Sequence, residues 1–149
     1  MLSYYSLAER PIHLSVGDKT LERVHSIKLL GVHMTDTLKW DDYVKHLASS
    51  CYGVLVALRK IKNFTKYHLR KHLVECLVLS RLDFNDIIFY PITDCLLKRL
   101  QCIQFAAASF VFGRYVNNID SILKLGWLSM KERREWHVLK AAYKAILFS

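Results

Sequence analysis

Apolar and polar positions follow a strand-like pattern only over residues 12 to 33. "IHLSV" and "TLERV" flank the turn dipeptide Gly17-Asp18 and alternate apolar with polar residues, which predicts a half-buried β-hairpin. The next run, "IKLLGVHM", is denser in apolar residues and reads as one further strand packed on both faces, with Gly31 in its most apolar part. From Trp40 the period becomes helical. Val44, Leu47, Cys51, Leu55 and Leu58 recur at spacings of three and four, giving one apolar face that reaches the basic pair Arg59-Lys60. Asp41 and Asp42 fall in the first turn of that helix, where carboxylates favour the positive end of the helix dipole.

Thr65 suits the N-cap of a second helix carrying Leu69, Leu73, Cys76, Leu77 and Ser80 and ending near "RLDF". A third helix after Thr93-Asp94 has Leu96, Leu100, Ile103, Ala107 and Phe110 as its stripe and Gly113 as its stop. "NIDSILKLGW" predicts a short helix ended by Gly126, and Ser129 to Glu132 has capping-box spacing for a last helix through Leu147. The expected fold is mainly α: a helical bundle preceded by a small β-hairpin and strand element.

Composition narrows the class. At 149 residues and 52% hydrophobic, the chain can bury one real core. With 5 Gly and 2 Pro, it holds no low-complexity linker. A formal net charge of +9 favours polyanionic partners, nucleic acid before anionic membrane surfaces. Glu9 and Arg10 interrupt the start before a signal-peptide apolar region is complete, and the uncharged run from Leu100 to Gly113 is short of the roughly 20 residues of a membrane span. An intracellular chain, in cytoplasm or nucleus and without a membrane partner, is expected. The cysteines Cys51, Cys76, Cys95 and Cys102 form no CxxC pair and read as buried, reduced thiols.

Little in the sequence suggests catalysis. Two-metal phosphoryl transfer needs several convergent carboxylates, whereas Asp41-Asp42 points two neighbours about 100° apart on a helix. Asp83 and Asp86 fall in a loop, where turn or cap roles are the simpler reading. His68 and His72 have zinc-chelating i, i+4 spacing, but Leu69 stands where a metalloprotease glutamate belongs and Cys76 is roughly 12 Å along the axis from His68. The expected catalytic and metal sites are therefore none. The most informative charge feature is the acid-free stretch from Tyr43 to Val74, where Arg59, Lys60, Lys62, Lys66, Arg70 and Lys71 surround the turn at Asn63-Phe64 with Tyr67, His68 and His72 interleaved. Such a helix–helix corner suits a phosphate backbone, or equally a solvated basic corner.

The ordered segments "LERVHSIKLLGV", "LKWDDYVKHL", "LVLSRLDFNDIIFY", "LLKRLQCIQFAAASFVFG" and "LKLGWLSMKERREWHVLKAAYKAI" resemble the C-terminal flank of the reverse transcriptase encoded by jockey-like non-LTR retrotransposons, from about Pro11 to Phe148. The resemblance implies an end-of-palm β element over residues 1–34, a polymerase-thumb-like helical bundle over 35–112 and a C-terminal helical extension over 113–149. It also implies that Leu30, Gly31 and Val32 match the primer-grip strand, where a glycine lets backbone approach closely because it lacks Cβ. The family's [FY]xDD motif lies upstream of the "LLGV" strand and has no counterpart here. The chain is thus expected to be a fragment of an RNA-directed DNA polymerase without the catalytic palm: inactive alone, with no cofactor of its own although the parent would use Mg²⁺, and retaining a part that grips an RNA–DNA or DNA primer-template. A non-catalytic helical remnant that binds a protein partner is the alternative. The sequence departs from the family at "QFAAAS", where related chains commonly read "QNAAAR", so Phe105 and Ser109 replace an asparagine and an arginine.

Overall fold

The computed structural model describes residues 14–22, 24–29, 31–35 and 39–148, and the chain divides into two compact units, Met1–Tyr43 and Val44–Ser149. In the first unit, β1 (Ser15–Val16) pairs antiparallel with β2 (Lys19–Thr20) across the turn at Gly17-Asp18, as the alternation predicts. Both strands are exposed rather than half-buried. The run expected to form one strand is instead a second hairpin. β3 (Ser26–Leu29) and β4 (Val32–Thr35) pair antiparallel, with Leu29 opposite Val32, and Gly31 takes the φ of +85° that a tight reversal requires. A strand packed on both faces needs neighbouring strands and covering layers, whereas each described sheet has two strands. Leu30 lies outside the described residues.

α1 (Asp41–Lys60) runs as its period predicts, with Asp41 and Asp42 in the first turn and Arg59 and Lys60 in the last. Val44, Cys51, Leu55 and Leu58 are buried. A 3₁₀ turn (Lys62–Phe64) leads to α2 (Tyr67–Val74), whose N-cap is Lys66 rather than Thr65. The Thr65 hydroxyl bonds back to the Ile61 and Lys62 carbonyl oxygens and closes the 3₁₀ turn instead. α2 continues through a π turn (Glu75–Leu79) into α3 (Ser80–Asp83). This rod buries Val74, Val78, Leu79 and Leu82, while Leu69, Cys76, Leu77 and Ser80 are exposed and Leu73 is half-buried. The expected stripe is therefore not the inner one. "LVECLVLSRL" is apolar on more than one side, and the wide π turn rotates the following residues relative to an uninterrupted 3.6-residue period.

α4 (Asp94–Phe112) is the central helix of this unit and packs against α2, α5 (Ile119–Lys124) and α6 (Met130–Leu147). Its whole expected stripe, Leu96, Leu100, Ile103, Ala107 and Phe110, is buried. By length and composition α4 could cross a membrane, but this stripe is covered by protein. Gly113 ends the helix in the left-handed conformation (φ +76°), its N–H bonding the Ser109 carbonyl at 2.9 Å. Asn118 caps α5 through the Ser121 N–H at 2.8 Å, and Ser129 and Glu132 form the capping box of α6. Two charged residues are buried among the described residues, Asp86 and Arg134; Arg134 lies with its guanidinium carbon 4.3 Å from the centre of the Phe89 ring and donates to the Asp86 carbonyl at 3.4 Å.

Candidate nucleic-acid interface

The acid-free stretch becomes a corner because α1 ends at Lys60, the 3₁₀ turn reverses the chain, and α2 starts at Tyr67. Beside that corner lies the C-terminal end of α4, whose last carbonyl groups lack intrahelical partners and carry the negative end of the helix dipole. The corner supplies them with cations. Lys62 Nζ donates to the Gly113 carbonyl at 3.1 Å and Arg70 Nη1 to the Phe110 carbonyl at 3.3 Å. A Cβ on Gly113 would lie 3.2 Å from Arg70 Nη1, so this glycine admits the guanidinium as well as the turn.

The six basic candidates thus divide. Lys62 and Arg70 are turned onto α4, and Arg70 Nε is buried without a hydrogen-bond partner. Lys71 sits 3.8 Å from the Glu75 carboxylate. Arg59, Lys60 and Lys66 are exposed. Around Arg59 the structure adds residues that the sequence did not single out. One cleft of ≈ 350 Å³ is lined by Arg59, Lys62, Ser109, Phe110, Gly113, Arg114 and Tyr115. A second, of ≈ 340 Å³, shares Arg59, Ser109 and Tyr115 with it and extends along α4 to Cys102 and Phe105. No carboxylate lines either cleft.

Aromatic rings edge this surface. Tyr115 is 83% exposed and Phe64 89%, so both rings are accessible to a flat ligand. Tyr67 packs against Phe112, centroids 6.1 Å apart, and the Arg114 guanidinium lies 5.9 Å from the Phe112 ring. Tyr115 is positioned by Ser109, whose Oγ accepts from the Val116 N–H at 2.9 Å and so pins the chain just after α4. Ser109 and Phe105 both lie here: Ser109 organises the turn, and Phe105 is a half-buried wall of the second cleft. In the other unit, Gly31 is exposed at the β3–β4 reversal and Val32 is buried.

Among the acidic and histidine candidates, Asp83 and Asp86 form internal pairs. Asp41 and Asp42 are exposed on the first turn of α1. His68 stands edge-on to Tyr67, and His72 Nε2 is 3.7 Å from Cys76 Sγ. Asp83 and Asp86, read from the sequence as turn or cap residues, face α6 instead. Both Asp83 oxygens accept from Arg133, and His137 Nδ1 lies 2.6 Å from Asp86 Oδ2. The bond to Asp83 raises the Arg133 pKa, against the opposing effect of burial. Asp83, Asp86 and His137 bring possible ligand atoms within 4.8 Å of one another. A cation there would have to displace Arg133 and would lie in a cleft also lined by Lys140 and Lys144, so contacts of α6 with the end of α3 (Asp83) and the turn after it (Asp86) account for the cluster.

Of the four cysteines, Cys51 alone is buried, and Cys76, Cys95 and Cys102 are exposed free thiols, contrary to the expectation that all are buried. Comparison with protein-family models, with curated proteins and with solved structures gave no match.

Proposed function

We propose that this chain is the part of a non-LTR retrotransposon-type RNA-directed DNA polymerase that grips nucleic acid, with a thumb-like helical bundle. The observation that carries this reading is the pair of adjoining clefts around Arg59, which are lined by Arg59, Lys62 and Arg114, lack carboxylates and are edged by the open Tyr115 ring. Exposed cations there attract a phosphate backbone, and a bare aromatic ring stacks on any base. The expected ligand is a primer-template, an RNA–DNA or DNA duplex with a single-stranded extension, recognised with little sequence preference.

The test is fluorescence anisotropy of a labelled RNA–DNA primer-template over a range of salt concentrations. Binding should weaken steeply with salt, and replacing Arg59, Lys66 and Arg114 by glutamine should shallow the slope by about one unit for each phosphate contact removed. Tyr115→Ala should weaken binding without changing the slope, because a stacked ring releases no counterion. A control replaces Lys124, Lys131 and Lys140, exposed lysines on other helices. Equal losses from the two triple replacements would mean that net charge alone binds the nucleic acid, and the reading would fail.

A further inference from the structure

α6 carries two apolar faces. Met130 and Arg134 are buried, and His137, Val138 and Ala141 are half-buried on the side that meets the bundle. On the opposite side Trp136, Leu139, Tyr143 and Ile146 are 57%, 66%, 63% and 76% exposed. A single exposed leucine is ordinary, but a continuous row of large apolar side chains marks an interaction surface. Their spacings of three, four and three residues are those of the a and d positions of a heptad, with Trp136 and Tyr143 at a and Leu139 and Ile146 at d. That 3.5-residue repeat fits a second α-helix lying alongside at a shallow angle.

The residues flanking the row identify the occupant. In this register Glu135 is a g position and Lys140 the following e position; both are exposed, and among the described residues neither forms an ion pair. In a parallel two-stranded coiled coil each g residue meets the e residue of the next heptad on the partner helix. Two copies of α6 side by side therefore set Glu135 of each against Lys140 of the other, on both edges of the apolar seam. An antiparallel pair sets e against e and g against g, so Glu135 never meets Lys140. We infer that α6 is a homodimerisation helix: its outer face pairs in parallel with the same face of a second copy of this chain, with Trp136, Leu139, Tyr143 and Ile146 as the seam and Glu135 and Lys140 selecting orientation.

Sedimentation equilibrium of the full chain should show a concentration-dependent dimer. Glu135→Lys and Lys140→Glu each replace two attractions by two repulsions, so each should weaken self-association about tenfold or more. The double variant E135K/K140E should restore it. Mixing the two single variants should also restore it, because in the heterodimer every Glu again faces a Lys. Leu139→Lys should abolish the dimer while leaving the helical circular dichroism unchanged, since Leu139 makes no part of the core. A wild-type chain that stays monomeric up to about 100 μM overturns the inference. So does a dimer indifferent to both charge reversals. A monomer that binds phosphatidylserine vesicles through Leu139 would assign the face to a membrane instead. Because the nucleic-acid clefts contain none of these residues, loss of dimerisation with primer-template binding intact refers to this inference alone.

Discussion

The indole Nε1 of Trp127 donates to Oε1 of Glu75 across 2.8 Å, joining the segment before α6 to the π turn between α2 and α3. Trp127 is buried, and its own N–H bonds the Ile122 carbonyl at 3.2 Å, so backbone and side chain are both held. The Glu75 side chain is itself part-exposed, and a bond to a charged acceptor contributes more than a neutral one. Trp127→Phe keeps an aromatic ring and removes the donor. It should cost about 1–3 kcal/mol in urea unfolding, with a lower midpoint and an unchanged slope. Glu75→Ala should cost a similar amount, and the double variant clearly less than the sum, since both single changes break one bond. Strict additivity would show that the pair is not coupled.

Arg70 illustrates why a basic residue beside a proposed nucleic-acid surface need not belong to it. Its guanidinium meets the Phe110 carbonyl at the end of α4, and its Nε is buried. Arg70→Gln should therefore lower stability by about 1–2 kcal/mol, through loss of a cation from the helix end and of its bond. Lys66→Gln, at an exposed position, should stay within about 0.5 kcal/mol of wild type. Thermal unfolding of the two variants decides the matter, and equal stability would mean that the Arg70 contact contributes nothing. Any loss of nucleic-acid affinity in Arg70 variants has to be read after that measurement.

The helices legible in the sequence are those with one apolar face and explicit ends. α1 and α4 carry single stripes, and Gly113, Asn118 and Ser129 mark boundaries by chemistry that acts within a few residues. The α2–α3 rod is harder to read because apolar residues occur on several of its sides, and a contact of its π turn, Glu75 with Trp127, comes from a partner 52 positions away. The second hairpin turns on Gly31, which the sequence places inside a single strand because apolar residues run on both sides of it. The basic corner was visible as an acid-free run. Its extension to Arg114 and Tyr115 was not, since only the packing of α4 beside α1 brings them to Arg59. Arg-Tyr directly after a helix-stop glycine was the one available signal. Asp83 and Asp86 likewise meet Arg133 and His137 only through tertiary structure.

The thiols offer a test of the core. Burial pushes the Cys51 thiol up to about 11, with Arg81 only partly offsetting it, while Cys76, Cys95 and Cys102 are exposed. Because the thiolate is the reactive form, Cys51 should be protected twice, by access and by ionisation. Ellman titration of the native protein at pH 8 should show three fast thiols, the fourth reacting only on unfolding. A fast fourth thiol would mean that the face of α1 bearing Cys51 opens readily to solvent.

The capping box of α6 should give a distinct acid response. The Ser129 hydroxyl, then the Ser129 backbone N–H, bond the Glu132 carboxylate and hold its pKa below the ordinary value. A depressed folded-state pKa means that the folded protein prefers the charged form more strongly than the unfolded chain does. The resulting stabilisation is complete above the unfolded value of about 4.3 and is lost as pH falls through the lower folded value. Glu132→Gln removes this titration while keeping side-chain length. The melting temperature of wild type should exceed that of Glu132→Gln at pH 7, and the gap should close as pH falls below about 4. Ser129→Ala, which removes the hydroxyl that holds the Glu132 pKa down most, should flatten the same acid limb. A gap that persists undiminished at the acid end would locate the contribution of Glu132 in packing rather than charge, and the cap would then stabilise α6 independently of its ionisation.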